Sequence, residues 1–239
     1  MPRARDRTAR RAGGVTVPVM PAQLVTLEEA LGRIRDGDTI LCGGFGLVGA
    51  AMTLLDGLAG RSAARDLTVV SNNIGEPGRG LGTLLRQGRI RHGISTYFTS
   101  NPEAVAAVNA GEITAQLLPQ GTFSEAIRAG GAGLGGFFTP VGAGTLLAEG
   151  KEQREIDGVL QVLERPIRGD VALVYADRAD ALGNLCYRKT AQNFNPMMAT
   201  AATLTIAEVR EIVPIGGLDG ESIHTPHIYV DLMVQSNGR

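Results

Sequence analysis

Gly44-Phe45-Gly46-Leu47-Val48-Gly49 stands between a short apolar run, Thr39–Cys42, and a helix-patterned segment over residues 50–58. A strand, a glycine turn and a helix in direct succession open a βα unit, which commits the chain to a layered α/β architecture. The alternation continues downstream. It predicts strands at Leu67–Val70 and over residues 94–98 and 116–118, with helices at Leu81–Arg86 and over 102–110 between them. Ahead of the first strand, residues 27–34 read as an amphipathic helix opened by a capping box of Thr26 and Glu29. In the second half, residues 154–164 alternate around Asp157-Gly158, a type I′ hairpin signal. Residues 171–176 read as a buried strand, and Gly183-Asn184 turns into a short strand over 185–188. A helix over 196–203 carries Pro196 at its first position, and residues 204–208 and 227–234 read as late strands. The prediction is a single open α/β domain with a mostly parallel sheet, helices on both faces and a small antiparallel hairpin insertion near residues 151–165.

Composition narrows the function. The chain has 239 residues, enough for one large domain or two small ones, and no linker or repeat divides it. Its 33 glycines, 4% aromatics and absent tryptophan suit α/β layers joined by tight turns rather than an aromatic-cored sandwich. A net charge of -1 supplies no long-range field for nucleic acid, so no such partner is expected. No apolar run approaches the roughly 18 residues of a membrane span. Arg3, Arg5, Arg7, Arg10 and Arg11 crowd the start, interrupted by Asp6 and Gly13-Gly14. Residues 1–22 are therefore expected to be a disordered basic tail or an upstream extension, with Met20 as a second possible start. Cys42 and Cys186 lack CxxC spacing, and no secretory signal is visible, so they read as reduced core thiols of a cytoplasmic protein. His224 and His227 flank Pro226, which breaks any helical metal-binding face, so no metal site is expected.

The glycine loop has two readings of its own. Glycines let backbone approach a ligand, and a helix N-terminus offers unpaired N–H groups to an anion. A nicotinamide-type dinucleotide site would also need an acid at the end of the next strand, to hold the ribose. Ser71-Asn72-Asn73 stands there instead, and Asp66 lies at the wrong end of the strand. A phosphate-bearing ligand that is not a redox dinucleotide stays open, as does a plain packing turn. Further on, Thr122 and Glu125 predict a second capping box, which leaves Gln120 in the turn before a helix. Its amide either donates to a developing oxyanion or caps its own turn.

Five motifs then occur in a fixed order: Gly43-Gly44-Phe45-Gly46, Ser71-Asn72-Asn73, Pro119-Gln120-Gly121-Thr122, residues 127–133 (Ile-Arg-Ala-Gly-Gly-Ala-Gly) and Asn193-Phe194-Asn195-Pro196. With residues 223–230 (Ile-His-Thr-Pro-His-Ile-Tyr-Val), their order and spacing resemble the A (alpha) subunits of 3-oxoacid CoA-transferases over about residues 24–234. The resemblance implies that residues 23–236 form the domain of such an alpha subunit. It implies coenzyme A or an acyl-CoA as substrate, with no permanently bound cofactor, and a heterodimer or heterotetramer with the B subunit of the CoA-transferase. In that family a glutamate in a Glu-Asn-Gly setting on the B half attacks the acyl-CoA. Glu-Asn-Gly does not occur in this chain, so the resemblance implies a polypeptide inactive on its own. It assigns CoA binding to Gly43, Gly44, Phe45, Gly46, Leu47, Val48 and Gly49, and an oxyanion-hole role to Gln120. Residues 150–158 resemble the 3-oxoadipate group, the C-terminal motif the succinyl-CoA:3-ketoacid group, and Ser100-Asn101-Pro102-Glu103 the acetate/acetoacetate group, so the acceptor stays open. A dinucleotide-dependent oxidoreductase and a non-catalytic CoA-binding module are the competing readings.

Overall fold

The computed structural model describes residues 20–237, and its first half alternates strand and helix, with glycine-bearing turns after Cys42 and Val70. The elements are β1 (Gln23–Leu24), α1 (Leu27–Leu31), β2 (Thr39–Cys42), α2 (Met52–Arg61), β3 (Leu67–Val70), α3 (Leu81–Arg86), β4 (Ile90–Ser95), α4 (Pro102–Asn109) and β5 (Thr114–Leu117). Then follow α5 (Gln120–Ala132), β6 (Phe137–Thr139), β7 (Gln153–Ile156), β8 (Val159–Glu164), β9 (Gly169–Asp180), β10 (Leu185–Cys186), α6 (Asn195–Ala201), β11 (Ala202–Val213) and β12 (Leu232–Gln235). The main sheet has nine strands in the order β1-β12-β11-β9-β2-β3-β4-β5, with β10 paired to β9. Every pairing in it is parallel except β10 with β9.

Strand alternation divides the core in two. Ile40, Cys42, Leu67 and Val69 face α1 to α4, packing on Leu31, Leu54, Leu58, Leu84 and Ala104. Leu41, Val70, Ala172 and Val174 face the other way, onto Phe123 and Ile127 of α5 and Met198 of α6. Helices thus cover both faces, as predicted.

The hairpin insertion forms as expected. Asp157 (φ 52°) and Gly158 (φ 75°) both adopt positive φ, the requirement of a type I′ turn between β7 and β8. It is larger than predicted, because β6 pairs with β8 to make a three-stranded antiparallel sheet.

Several boundaries move for local reasons. The strand read at 94–98 begins at Ile90 and ends at Ser95, because the N–H groups of Thr96 and Tyr97 both turn to the Asn72 carbonyl. The first half of the strand read at 227–234 is a 3-10 turn, His227–Tyr229, and β12 starts only at Leu232. Asn195, not Pro196, opens α6. Residues 1–19 of the predicted tail lie outside the described residues, and Ala22 is buried, its N–H donating to Leu182 O at 2.8 Å.

The strand order positions the site. From β2 the chain steps outward through β3, β4 and β5, whereas β9 leads the other way to β11 and β12. Connections that diverge from two neighbouring parallel strands leave a crevice at their carboxyl ends. The glycine loop follows β2 at that switch point.

Candidate active site

The glycine loop is a tight hairpin, not an open phosphate cradle. Phe45 N–H donates to Val48 O at 3.0 Å, and Val48 N–H returns to Phe45 O at 3.2 Å. Gly46 turns the tip at φ +61°, with nothing within 4 Å of where a side chain would begin. Phe45 and Val48 are half-exposed beside it.

Three asparagines fix this hairpin. Asn193 Oδ1 accepts from Gly44 N–H at 3.0 Å, and Asn72 Oδ1 accepts from Gly46 N–H at 3.1 Å. Asn193 Nδ2 donates to Val48 O and Asn195 Nδ2 to Gly49 O, each at 2.9 Å. Asn195 is fully buried, and its Oδ1 accepts from Tyr175 N–H of β9 at 3.1 Å. Its amide therefore fills the crevice between β2 and β9. A Cβ at Gly43 would collide with that same Oδ1, so Gly43 is glycine to admit an asparagine rather than a ligand.

The glycine loop predicts a following helix that presents free N–H groups to an anion. The structure places Glu208 of β11 there. Its carboxylate accepts from Thr53 N–H and Thr53 Oγ1, both at 2.7 Å, from Leu54 N–H at 3.3 Å and from Ser236 Oγ at 2.8 Å. The start of α2 thus already holds an internal anion. With the switch-point crevice sealed by Asn195, the geometry argues against a dinucleotide site. Glu208 was legible only as the single acid in the otherwise apolar run Ile206-Ala207-Glu208-Val209.

Gln120 is the first residue of α5, not part of the preceding turn. Pro119 is the N-cap and lends no side chain, and the second capping box does not form. Thr122 is buried with its hydroxyl unpartnered, and Glu125 turns to Arg128 at 2.6 Å. The Gln120 side chain is exposed at the carboxyl end of the sheet.

A line of rings joins this helix start to the glycine hairpin. Phe45 stacks on Phe194 at 6.4 Å with planes 7° apart, and Phe194 meets Phe123 edge-on at 5.3 Å. Phe123 lies one helical turn beyond Gln120. Asn193-Phe194-Asn195 is thus the junction of the two candidate regions, a role its sequence did not announce. His224 and His227 serve the fold: Tyr187 N–H donates to His224 Nδ1 at 3.1 Å, and His227 N–H donates to Asn184 Oδ1 at 2.9 Å.

The parallel α/β sheet thus carries a glycine hairpin at the end of β2, and an exposed amide, Gln120, follows its edge strand β5. The coenzyme A transferase family model matches residues 24–236, and the chain belongs to that family. The A subunit of succinyl-CoA:3-ketoacid coenzyme A transferase from Helicobacter pylori (strain J99) is 49% identical over 87% of this chain and 89% of its own length. The alpha subunit of acetate CoA-transferase from Escherichia coli K12 is 44% identical over 91% of this chain and 98% of its own. The A subunit of 3-oxoadipate CoA-transferase from Pseudomonas putida is 46% identical over 89% of this chain and 93% of its own. In fold, the chain is similar to an acyl-CoA transferase of E. coli O157:H7 solved as a thioester complex with CoA, with a TM-score of 0.82 at 20% identity. That match covers 92% of this chain and 48% of the larger one, about half of its length. Glutaconate coenzyme A-transferase of Acidaminococcus fermentans aligns with a TM-score of 0.78 at 20% identity, over 90% of this chain and 76% of its own. Among the described residues no helix is long and apolar enough to cross a membrane.

Proposed function

We propose that this chain is the alpha component of a two-subunit CoA-transferase that moves CoA from an acyl-CoA, such as succinyl-CoA, to a 3-oxoacid or short-chain carboxylate. The nucleophile is a glutamate of the partner subunit. Its carboxylate attacks the thioester carbonyl, the C–S bond breaks, and CoA leaves as thiolate from an acyl-glutamyl anhydride. The thiolate then attacks the glutamyl carbonyl, releasing the first carboxylate and leaving a glutamyl-CoA thioester. The incoming carboxylate reverses both steps and departs as the new acyl-CoA, so a difficult exchange is divided into covalent half-reactions. Each tetrahedral intermediate carries an oxyanion, to which the Gln120 amide donates. The glycine hairpin receives the CoA moiety at its exposed tip, around Phe45, Gly46 and Val48, while Gly43 lies behind it against Asn195.

The observation that carries this reading is the ring line Phe45–Phe194–Phe123, which couples the hairpin to the helix turn that exposes Gln120. Four of the chain's glutamates are already engaged within the fold, which supports a nucleophile supplied in trans. Glu103 is paired with Arg86, Glu125 with Arg128 and Glu164 with Lys151, while Glu208 caps α2.

The test is co-expression with the partner polypeptide, followed by acyl-transfer assays from succinyl-CoA to acetoacetate, 3-oxoadipate and acetate. The complex should transfer CoA and the isolated chain should not. Borohydride reduction of the acyl-CoA-treated complex should mark a glutamate of the partner. A reduced glutamate recovered from this chain alone would overturn the proposal.

A further inference from the structure

We infer that Asn193 and Phe194 are positioning residues for the transfer reaction, locking the glycine hairpin to the first turn of α5 so that the CoA loop and Gln120 keep one relative placement. The inference rests on the functional reading above and adds residues to it.

Asn193 is held in an unusual backbone conformation, φ 20° and ψ -120°, which a non-glycine residue adopts only where its surroundings enforce it. Its side chain supplies that enforcement. Oδ1 accepts from Gly44 N–H at 3.0 Å and from Phe194 N–H at 2.7 Å, while Nδ2 donates to Val48 O and Thr190 O, both at 2.9 Å. One amide thus grips both strands of the hairpin, the entering strand at Gly44 and the leaving strand at Val48. Phe194, directly after it, is buried and carries the ring contacts to Phe45 and Phe123. The hairpin tip has no packing of its own at Gly46, so its aim depends on these side chains together with Asn72 and Asn195. A misplacement of about 1 Å at a site of this kind costs on the order of a hundredfold in rate. Hydrogen bonds to a loop 145 to 149 residues away therefore bear on the chemistry, not only on the fold.

Asn193→Gly is the informative variant, because glycine accepts the backbone conformation while removing all the side-chain bonds. In the complex with the partner polypeptide, the variant should raise KM for the CoA ester about tenfold or more while KM for the carboxylate stays within about twofold. Its melting temperature should fall by no more than about 5 °C. Asn193→Asp keeps the acceptor for Gly44 and should recover part of the loss. Amide hydrogen exchange supplies a readout independent of turnover. Gly44 should exchange faster in Asn193→Gly, while Gly75, whose N–H is held by Asn73 Oδ1 at 3.0 Å, should not change. Unchanged Gly44 exchange with unchanged KM values, in a wild-type complex that transfers CoA, would overturn this inference alone. Parallel loss of both KM values and of the melting temperature would reduce Asn193 to a structural residue and overturn it as well. A wild-type complex without transfer activity would remove the functional reading, and this one with it.

Discussion

Gln120 needs no side-chain bond to start its helix, since Pro119 is the N-cap and Phe123 N–H takes the Pro119 carbonyl at 2.8 Å. Removing an oxyanion donor typically costs about 3 to 4 kcal/mol of transition-state stabilisation, on the order of a hundred- to a thousand-fold in rate. Gln120→Ala, assembled with the wild-type partner, should lose that much kcat at a nearly unchanged melting temperature. Turnover within about threefold of wild type, less than about 1 kcal/mol, would return Gln120 to the fold. Gly46 is tested by shape. At φ +61° in open space, asparagine fits the left-handed region and a β-branched residue does not. Gly46→Asn should keep KM for the CoA ester near wild type, and Gly46→Val should raise it. Equal KM values for the two variants would separate the hairpin tip from ligand binding. At this scale the sequence was legible only where partners are near neighbours. Thr26 and Glu29 form the predicted capping box with both bonds present. Thr122 and Glu125 have the same spacing and do not, because α5 starts three residues earlier, with Pro119 rather than Thr122 as its N-cap, and turns Thr122 into the core.

Among the elements, β2, β3 and α3 fall where the sequence placed them; β2 and β3 are short apolar runs, each preceded by an aspartate, Asp38 or Asp66, and followed by a turn, which leaves little freedom of register. What joins elements across long separations was not readable. Glu208 and Thr53 lie 155 residues apart, and no local pattern links a strand acid to a helix start in another unit. The bond predicts a measurable cost. Glu208→Ala would leave the N–H groups of Thr53 and Leu54 without their acceptor at a buried helix end. Losing a charged cap and orphaning its donors should destabilise the chain by about 2 to 4 kcal/mol. Urea unfolding would register this as a lower midpoint at an unchanged slope. A loss below about 0.5 kcal/mol would mean that water replaces the carboxylate, as at an exposed helix end.

For the molecule as a whole, the α/β class and parallel sheet were legible, because helix and strand periods alternate along the chain. The strand order was not, since the step from β5 across to β9 passes through α5 and the whole antiparallel insertion before it returns beside β2. That return buries Cys42, at the end of β2 beneath the glycine hairpin, and burial pushes its thiol up to about 12. Tyr187, buried and bonded to Thr225, is raised by burial as well. Both groups are neutral while protonated and ionise in the unfolded chain near about 8.5 and 10. Above the lower of these values the folded state holds protons that the unfolded state has lost, so stability falls as pH rises. The slope should approach about 1.4 kcal/mol per pH unit from Cys42 and steepen once Tyr187 joins. Glu103, Glu125 and Asp177 act at the opposite end. Arg86, Arg128 and Arg210 hold their carboxyls below the usual range, so their contribution is present at neutral pH and is lost as pH falls through those lowered values. Each of these pairs reaches solvent through its arginine, which is about half exposed, and their effect is correspondingly small. Urea midpoints from pH 7 to 10 should therefore be level at first and then decline, and Cys42→Ala should flatten the first part of the decline. A wild-type profile that stays level to pH 10 would show that the folded chain admits the Cys42 thiolate, which requires the end of β2 and the hairpin above it to open without global unfolding.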